Sequence, residues 1–143
     1  MFDKISKRLG LRFEYLEART PGEARRALAA KAKRGRCDAL VANGPLGDMS
    51  KVLLAHGLSE KIPVLATDPR LAKGGALLTV HADLGENFWD QELGMIDKML
   101  SGMSPARIPV EKPKRLLLSI NEKTAKRLGL TIPDALRLSA QLF

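Results

Sequence analysis

"IPVEKPKRLLLSINEKTAKRLGLTIP", residues 108–133, decides how this chain is read. A proline-bracketed extended entry leads into the apolar run RLLLSI, read as a strand bounded by turn chemistry. Asn121 follows as the N-cap of a short amphipathic helix, EKTAKRL, and Gly129 supplies a left-handed stop. The unit is tightly punctuated and carries no obvious catalytic residue.

Working outward, the same alternation of strand and helix recurs. LRFEYLEA (11–18) alternates apolar and polar residues and is rich in strand formers, so a strand is expected there. In TPGEARRALAAKAKRG, Thr20 is an N-cap, Pro21 suits the first helical position, Glu23 completes a capping box and Gly35 offers a stop. CDALVANG (37–44) is short and mostly apolar, as expected of a strand buried on both faces. PLGDMSKVLLAHG reads as a helix started by Pro45 and ended near Gly57. KIPVLATD (61–68) and GALLTVHA (75–82) are two more strands, with AKGGA (72–76) as the turn before the second. A helix from about 84 to 101 places Leu84, Phe88, Trp89, Leu93, Ile96 and Leu100 on one side. IPDALRLSAQL (132–142) closes the chain as a helix started at Pro133. Strands alternating with helices require crossover connections. The expected fold class is therefore α/β: a three-layer sandwich around a mainly parallel, doubly wound sheet.

At 143 residues and 45% hydrophobic content, the chain suits one globular domain with a core. No apolar run approaches the roughly 20 residues a membrane helix needs, so no membrane span is expected. MFDKISKRLG alternates apolar and charged positions, unlike a signal peptide; a cytoplasmic location follows if Met1 is the native start. The single cysteine, Cys37, excludes an internal disulfide and reads as core. The net charge of +8 invites a nucleic-acid reading, but one Trp, one Tyr and four Phe make no stacking platform. The densest basic cluster, KAKRGR (31–36), falls at a helix end, where cations complement the dipole. A solvated basic face is expected, with no specific nucleic acid and only non-specific attraction as the weaker alternative.

Ligands of open parallel sheets bind beyond the carboxyl ends of the strands. That rule nominates Arg19, Thr20, Asn43, Gly44, Thr67, Asp68, His81 and Asp83. The ligand-binding set taken from them is Asn43, Asp68, His81 and Asp83, which suits a small polar or zwitterionic solute. Taken singly, Asn43, Asp68 and Asp83 are better explained as turn and cap residues. His56 and His81, the only histidines, lie at no metal-ligand spacing. GxSxG, GxxxxGK[ST] and GxGxxG are absent. Neither an enzyme, a metal nor a cofactor is expected.

One resemblance covers essentially the whole chain. GMIDKMLSGMSPARIPVEKPKRLLLSINEKTAKRLGLTIPDALRLSA closely resembles the end of the uncharacterised substrate-binding proteins of ATP-binding-cassette (ABC) importers. The match runs through Asp97, Lys98, Leu100, Gly102, Pro105, Ile108, Pro109, Val110, Glu111, Asn121, Lys123, Thr124, Ala125, Leu128, Gly129, Ile132 and Pro133. LRFEYLEARTPGEARRAL, RCDALVANGPL and the stretch from IPVLATD to DKML are similar more loosely. The resemblance implies one lobe, the C-terminal one, of a periplasmic-binding-protein type I fold, beginning inside that lobe's first helix without its leading strand. It implies residues 1–143 as a single domain, with 84–112 as inter-lobe helix and crossover segment. It further implies a small solute such as an amino acid, a periplasmic location, and an ABC permease or a separate N-terminal lobe as partners. Where the family commonly shows SYG-D, this chain has TVHAD, which puts His81 and Ala82 near the cleft and keeps the Asp at Asp83.

The alternative function is a stand-alone homodimeric interaction module. The stripe of Phe88, Trp89, Leu93, Ile96 and Leu100 would be its interface, since a second copy is the nearest cover for an apolar face left without its other lobe.

Overall fold

The computed structural model describes residues 2–83 and 85–143, and of residues 2–5, 86 and 87 the backbone only. Met1 and Leu84, the latter expected at the head of the apolar stripe, lie outside the described residues. In chain order the elements are α1 (Phe2–Leu9), α2 (Pro21–Lys31), β1 (Leu40–Ala42), α3 (Met49–Ser59), β2 (Val64–Ala66), α4 (Arg70–Gly74) and β3 (Leu78–Ala82). There follow α5 (Glu86–Leu100), a 3₁₀ turn (Pro105–Arg107), β4 (Leu116–Ile120), α6 (Glu122–Leu128), α7 (Asp134–Ser139) and β5 (Ala140–Leu142).

The five strands form one sheet in the order β1-β2-β3-β4-β5. Every neighbouring pair is parallel except β3 with β4, which run antiparallel with Leu78 opposite Ile120 and Ala82 opposite Leu116. The α/β class and the mainly parallel sheet are as expected. The antiparallel pair arises because α5 and the returning chain bring β4 back from the end where β3 left.

The main apolar cluster lies on one face of the sheet, while Ile120 is buried on the other. Leu40 and Ala42 of β1 and Val64 and Ala66 of β2 pack with Leu28 and Ala32, Leu71 and Ala76. Gly57 lets α3 approach the sheet: a Cβ there would sit 2.5 Å from Val64 Cγ2 and 2.9 Å from the Ile62 carbonyl oxygen. His56 Nε2 lies 2.6 Å from the Ala32 carbonyl oxygen, joining α3 to the end of α2. The opposite face is more open, with Val41, Val80 and Leu116 exposed by 56%, 38% and 63%. The expectation that the first parallel strand is buried on both faces is therefore corrected. Leu40 and Ala42 face the helices, and Val41, on the other side of the pleat at the sheet edge, does not.

Local punctuation settles most element ends. Thr20 Oγ1 accepts from Glu23 N–H at 3.2 Å, and Glu23 Oε2 accepts from Arg19 N–H at 2.9 Å, one residue ahead of the usual capping-box partner. Asn121 Oδ1 accepts from Thr124 N–H at 2.8 Å, and Gly129, at φ 74°, ends α6 in the left-handed region. Other expectations fail. Residues 11–18 form no strand; β1 is the edge of the sheet and no ladder reaches them. The α3 helix starts at Met49 rather than Pro45, because Met49 and Ser50 N–H bond the carbonyls of Leu46 and Gly47 in a turn. Residues expected as a plain turn hold α4, and the last three residues expected as helix form β5 instead. Parallel pairing with β4 recruits them: Phe143 N–H donates to Ile120 and Glu122 N–H to Phe143.

Candidate functional site

β1, β2 and β3 run parallel with Ala42, Ala66 and Thr79 at one level, so the segments after β1 and β2 and the end of β3 share one end of the sheet. Thr67 N–H donates to the Ala42 carbonyl at 3.2 Å, and Gly44 N–H donates to Thr67 Oγ1 at 3.1 Å. These bonds hold the loop bearing Asn43 against the loop bearing Asp68. Asn43 itself is exposed.

Asp68 is the charged centre of this end. Its carboxylate accepts from Arg70 Nε at 3.0 and 3.2 Å and from Arg70 Nη2 at 2.7 Å, and its Oδ1 also accepts from Arg70 N–H at 2.9 Å. Arg70 thereby lowers the Asp68 pKa below the usual carboxylate value; partial burial opposes the shift, and the nearby His81 adds to it. The Asp68 side chain is only 15% exposed, against 81% for Arg70.

His81 stands on β3 opposite Leu117. Its Nδ1 is buried and has no hydrogen-bond partner among the described residues, and neither has Thr79 Oγ1, two residues back on the same face. Buried polar atoms are nearly always paired, so an orphan nitrogen at a strand end is where an absent molecule, water or solute, would bond. Asp83 closes the row. Its Oδ1 accepts from Gly85 N–H at 3.0 Å, its backbone N–H donates to Arg115, and its Oδ2 lies 3.7 Å from Arg115 Nε.

Of the four expected ligand residues, the structure gathers Asp68 and His81 within electrostatic reach and ties the Asn43 loop to Thr67. Asp83 sits beyond β3, where it also has the turn role weighed from sequence. The two arginines escaped the sequence reading. Arg70 follows Asp68 in a DPR turn and was legible as a neighbour; Arg115 reaches Asp83 only because β4 returns antiparallel to β3. Among the described residues no group of three or more His, Cys, Asp or Glu could hold a metal. The recess of about 620 Å³ lined by Arg12, Glu14, Lys31, Arg36 and Asp38 adjoins the segment entering β1, at the other end of the strands from these residues.

The family model for ABC transporter substrate binding proteins matches residues 1–142. No curated protein sequence matches. Among solved structures, the chain is similar to a conserved domain protein from Vibrio cholerae, with 21% identity and a TM-score of 0.79 over 98% of this chain and 47% of that one. It is similar to an ABC domain from Streptococcus pneumoniae solved in complex with L-Trp, with 24% identity and a TM-score of 0.74 over 99% and 49%. It is also similar to a substrate-binding protein with adhesive properties from Clostridium difficile in its ligand-free, open form, with 19% identity and a TM-score of 0.70 over 99% and 47%. At these identities the likeness is one of fold, and the chain spans about half the length of each.

Proposed function

The chain belongs to the ABC transporter substrate-binding protein family, and from that premise we propose that it contributes one wall of a binding site for a small zwitterionic solute such as an amino acid. The observation that carries this reading is the His81 Nδ1, unpartnered among the described residues, within electrostatic reach of Asp68 at the carboxyl ends of parallel strands. A solute ammonium would meet Asp68 and Asp83. A solute carboxylate would meet Arg70 or Arg115, whose guanidinium forks suit it. His81 would receive or donate the remaining hydrogen bond, and the Asn43 loop would flank the solute.

The role is binding rather than catalysis. The L-Trp in the Streptococcus pneumoniae structure supports an amino acid as the solute class. The solved relatives are about twice as long, so a second lobe and an ABC permease are the partners proposed for transport, and the location proposed is extracytoplasmic. Among the described residues no helix is long and apolar enough to cross a membrane. Residues 84–112 are proposed as the segment that meets the second lobe.

Calorimetry against the twenty amino acids tests the reading. At least one should bind, and His81→Ala and Asp68→Asn should each weaken it by about tenfold or more, the cost of a lost charge-assisted bond. Silence across the panel would overturn it. A second reading, a stand-alone homodimeric interaction module, is favoured by the exposure of Trp89, Leu93, Ile96 and Leu100. A monomer in light scattering at high concentration counts against it.

A further inference from the structure

We propose that the end of the molecule where β1, β2 and β3 begin is a docking surface for an anionic phospholipid bilayer. This goes beyond solute binding and does not depend on it. α2, α3 and α4 lead into β1, β2 and β3 from this end, and α6 starts here too, because β4 finishes with Ile120 opposite Leu78. Hydrogen bonds hold the helix ends side by side. Arg34 N–H donates to Glu60 Oε2 at 3.4 Å, joining the end of α2 to that of α3. Lys61 Nζ donates to the Arg127 carbonyl at 2.9 Å, joining α3 to α6, and Thr124 Oγ1 donates to the Gly75 carbonyl at 3.1 Å, joining α6 to α4.

Lys33, Arg34, Arg36, Lys61, Lys126 and Arg127 stand on this edge. All are exposed, and none makes an ion pair among the described residues. Helix dipoles favour cations within the last turn, but Lys33, Arg34 and Arg36 lie past α2, which ends at Lys31. Lys61 holds a left-handed backbone, φ 59°, where glycine would be unstrained, so this position bears its cation at a conformational cost. At the opposite end the charges cancel: Arg70 pairs with Asp68 and Arg115 with Asp83. The net charge of +8 is therefore weighted toward one end.

What the edge lacks selects the partner. Residues 31–36, 59–62 and 122–128 contain no aromatic side chain. They offer neither a stacking platform for single-stranded nucleic acid nor the aromatic anchors of a protein interface. A bilayer needs neither, since its headgroups diffuse beneath separate cations, each strengthening binding by about fivefold. This end also faces away from residues 84–112: β3 leaves toward α5 at Ala82 and β4 returns opposite it at Leu116, both at the other end of the strands. The second lobe proposed there leaves the basic edge uncovered.

Co-sedimentation of the full chain with vesicles tests the proposal at about 50 mM salt, where screening is weak. Vesicles of phosphatidylcholine with about a third phosphatidylglycerol should bind about tenfold or more tightly than phosphatidylcholine alone, and binding should fade by about 0.5 M salt. Lys33→Gln, Arg34→Gln and Arg36→Gln combined should weaken it by about a hundredfold, and Lys126→Gln with Arg127→Gln by about twenty-fivefold. Arg107→Gln, Lys112→Gln and Lys114→Gln combined remove the same charge elsewhere and should weaken it by less than about threefold. Each variant should keep the parent's far-ultraviolet circular dichroism spectrum. No binding, equal affinity for the two vesicles, indifference to salt, or equal damage from the 107–114 and 33–36 variants would each overturn the proposal. So would tighter capture by single-stranded DNA or polyglutamate at the same concentration of negative charge.

Discussion

Asn121 closes two gaps with one side chain. Its Oδ1 caps α6 through Thr124 N–H, and its Nδ2 donates to the Ala72 carbonyl at 2.8 Å, fastening α6 to α4. The residue is 7% exposed, so Asn121→Ala would leave a cap donor and a carbonyl unpaired. A loss of about 2–4 kcal/mol is expected, read from urea denaturation. Gly57→Ala should cost about 1–3 kcal/mol by the same measurement, since the new methyl meets the Ile62 backbone at 2.9 Å. Asp68 gives a pH signature. Its folded pKa is lowered, so its contribution to stability is present above the unfolded value and disappears as pH falls through the folded one. Asp68→Asn should therefore differ in stability from the parent at neutral pH, and the two unfolding midpoints should converge as the medium drops below about pH 4.

Elements differ in how firmly they are held. β3 is bonded on both sides and bears the buried Thr79, while α5 leaves the body after it and returns only through an exposed segment. Amide hydrogens of α5 should therefore exchange faster than those of β3 and β4. The single tryptophan gives a direct probe: Trp89, 58% exposed, should emit near the wavelength of free tryptophan and be quenched by iodide. Blue-shifted, shielded emission from the isolated chain would mean that α5 is already covered. The same logic accounts for residues 11–18. Alternation of apolar and polar side chains makes a segment able to be a strand, but a strand exists only when a neighbour supplies the other half of its hydrogen bonds.

The whole molecule exposes 10612 Å², more than the roughly 7,300 Å² of a compact monomer of its mass. A compact chain of 143 residues has a radius of gyration of about 14.5 Å, and small-angle scattering should give a larger value for this one. A value at or below that figure would mean that α5 and the returning segment fold back onto the body.

Much of the fold was legible because caps and stops are local chemistry. Thr20, Asn121 and Gly129 bond or bend the backbone within four residues of themselves, and all three act where their sequence context placed them. The strand ends that carry Asp68 and His81 were legible for the same reason, from apolar runs that stop at turn residues. Pairing decided the rest. Whether residues 140–142 are helix or strand, whether β4 runs with or against β3, and whether Arg115 meets Asp83 depend on which segments lie side by side after folding. Periodicity and capping involve neighbours along the chain and so are written in it, whereas ladder partners and exposed faces come from contacts between distant residues, which only the tertiary structure brings together.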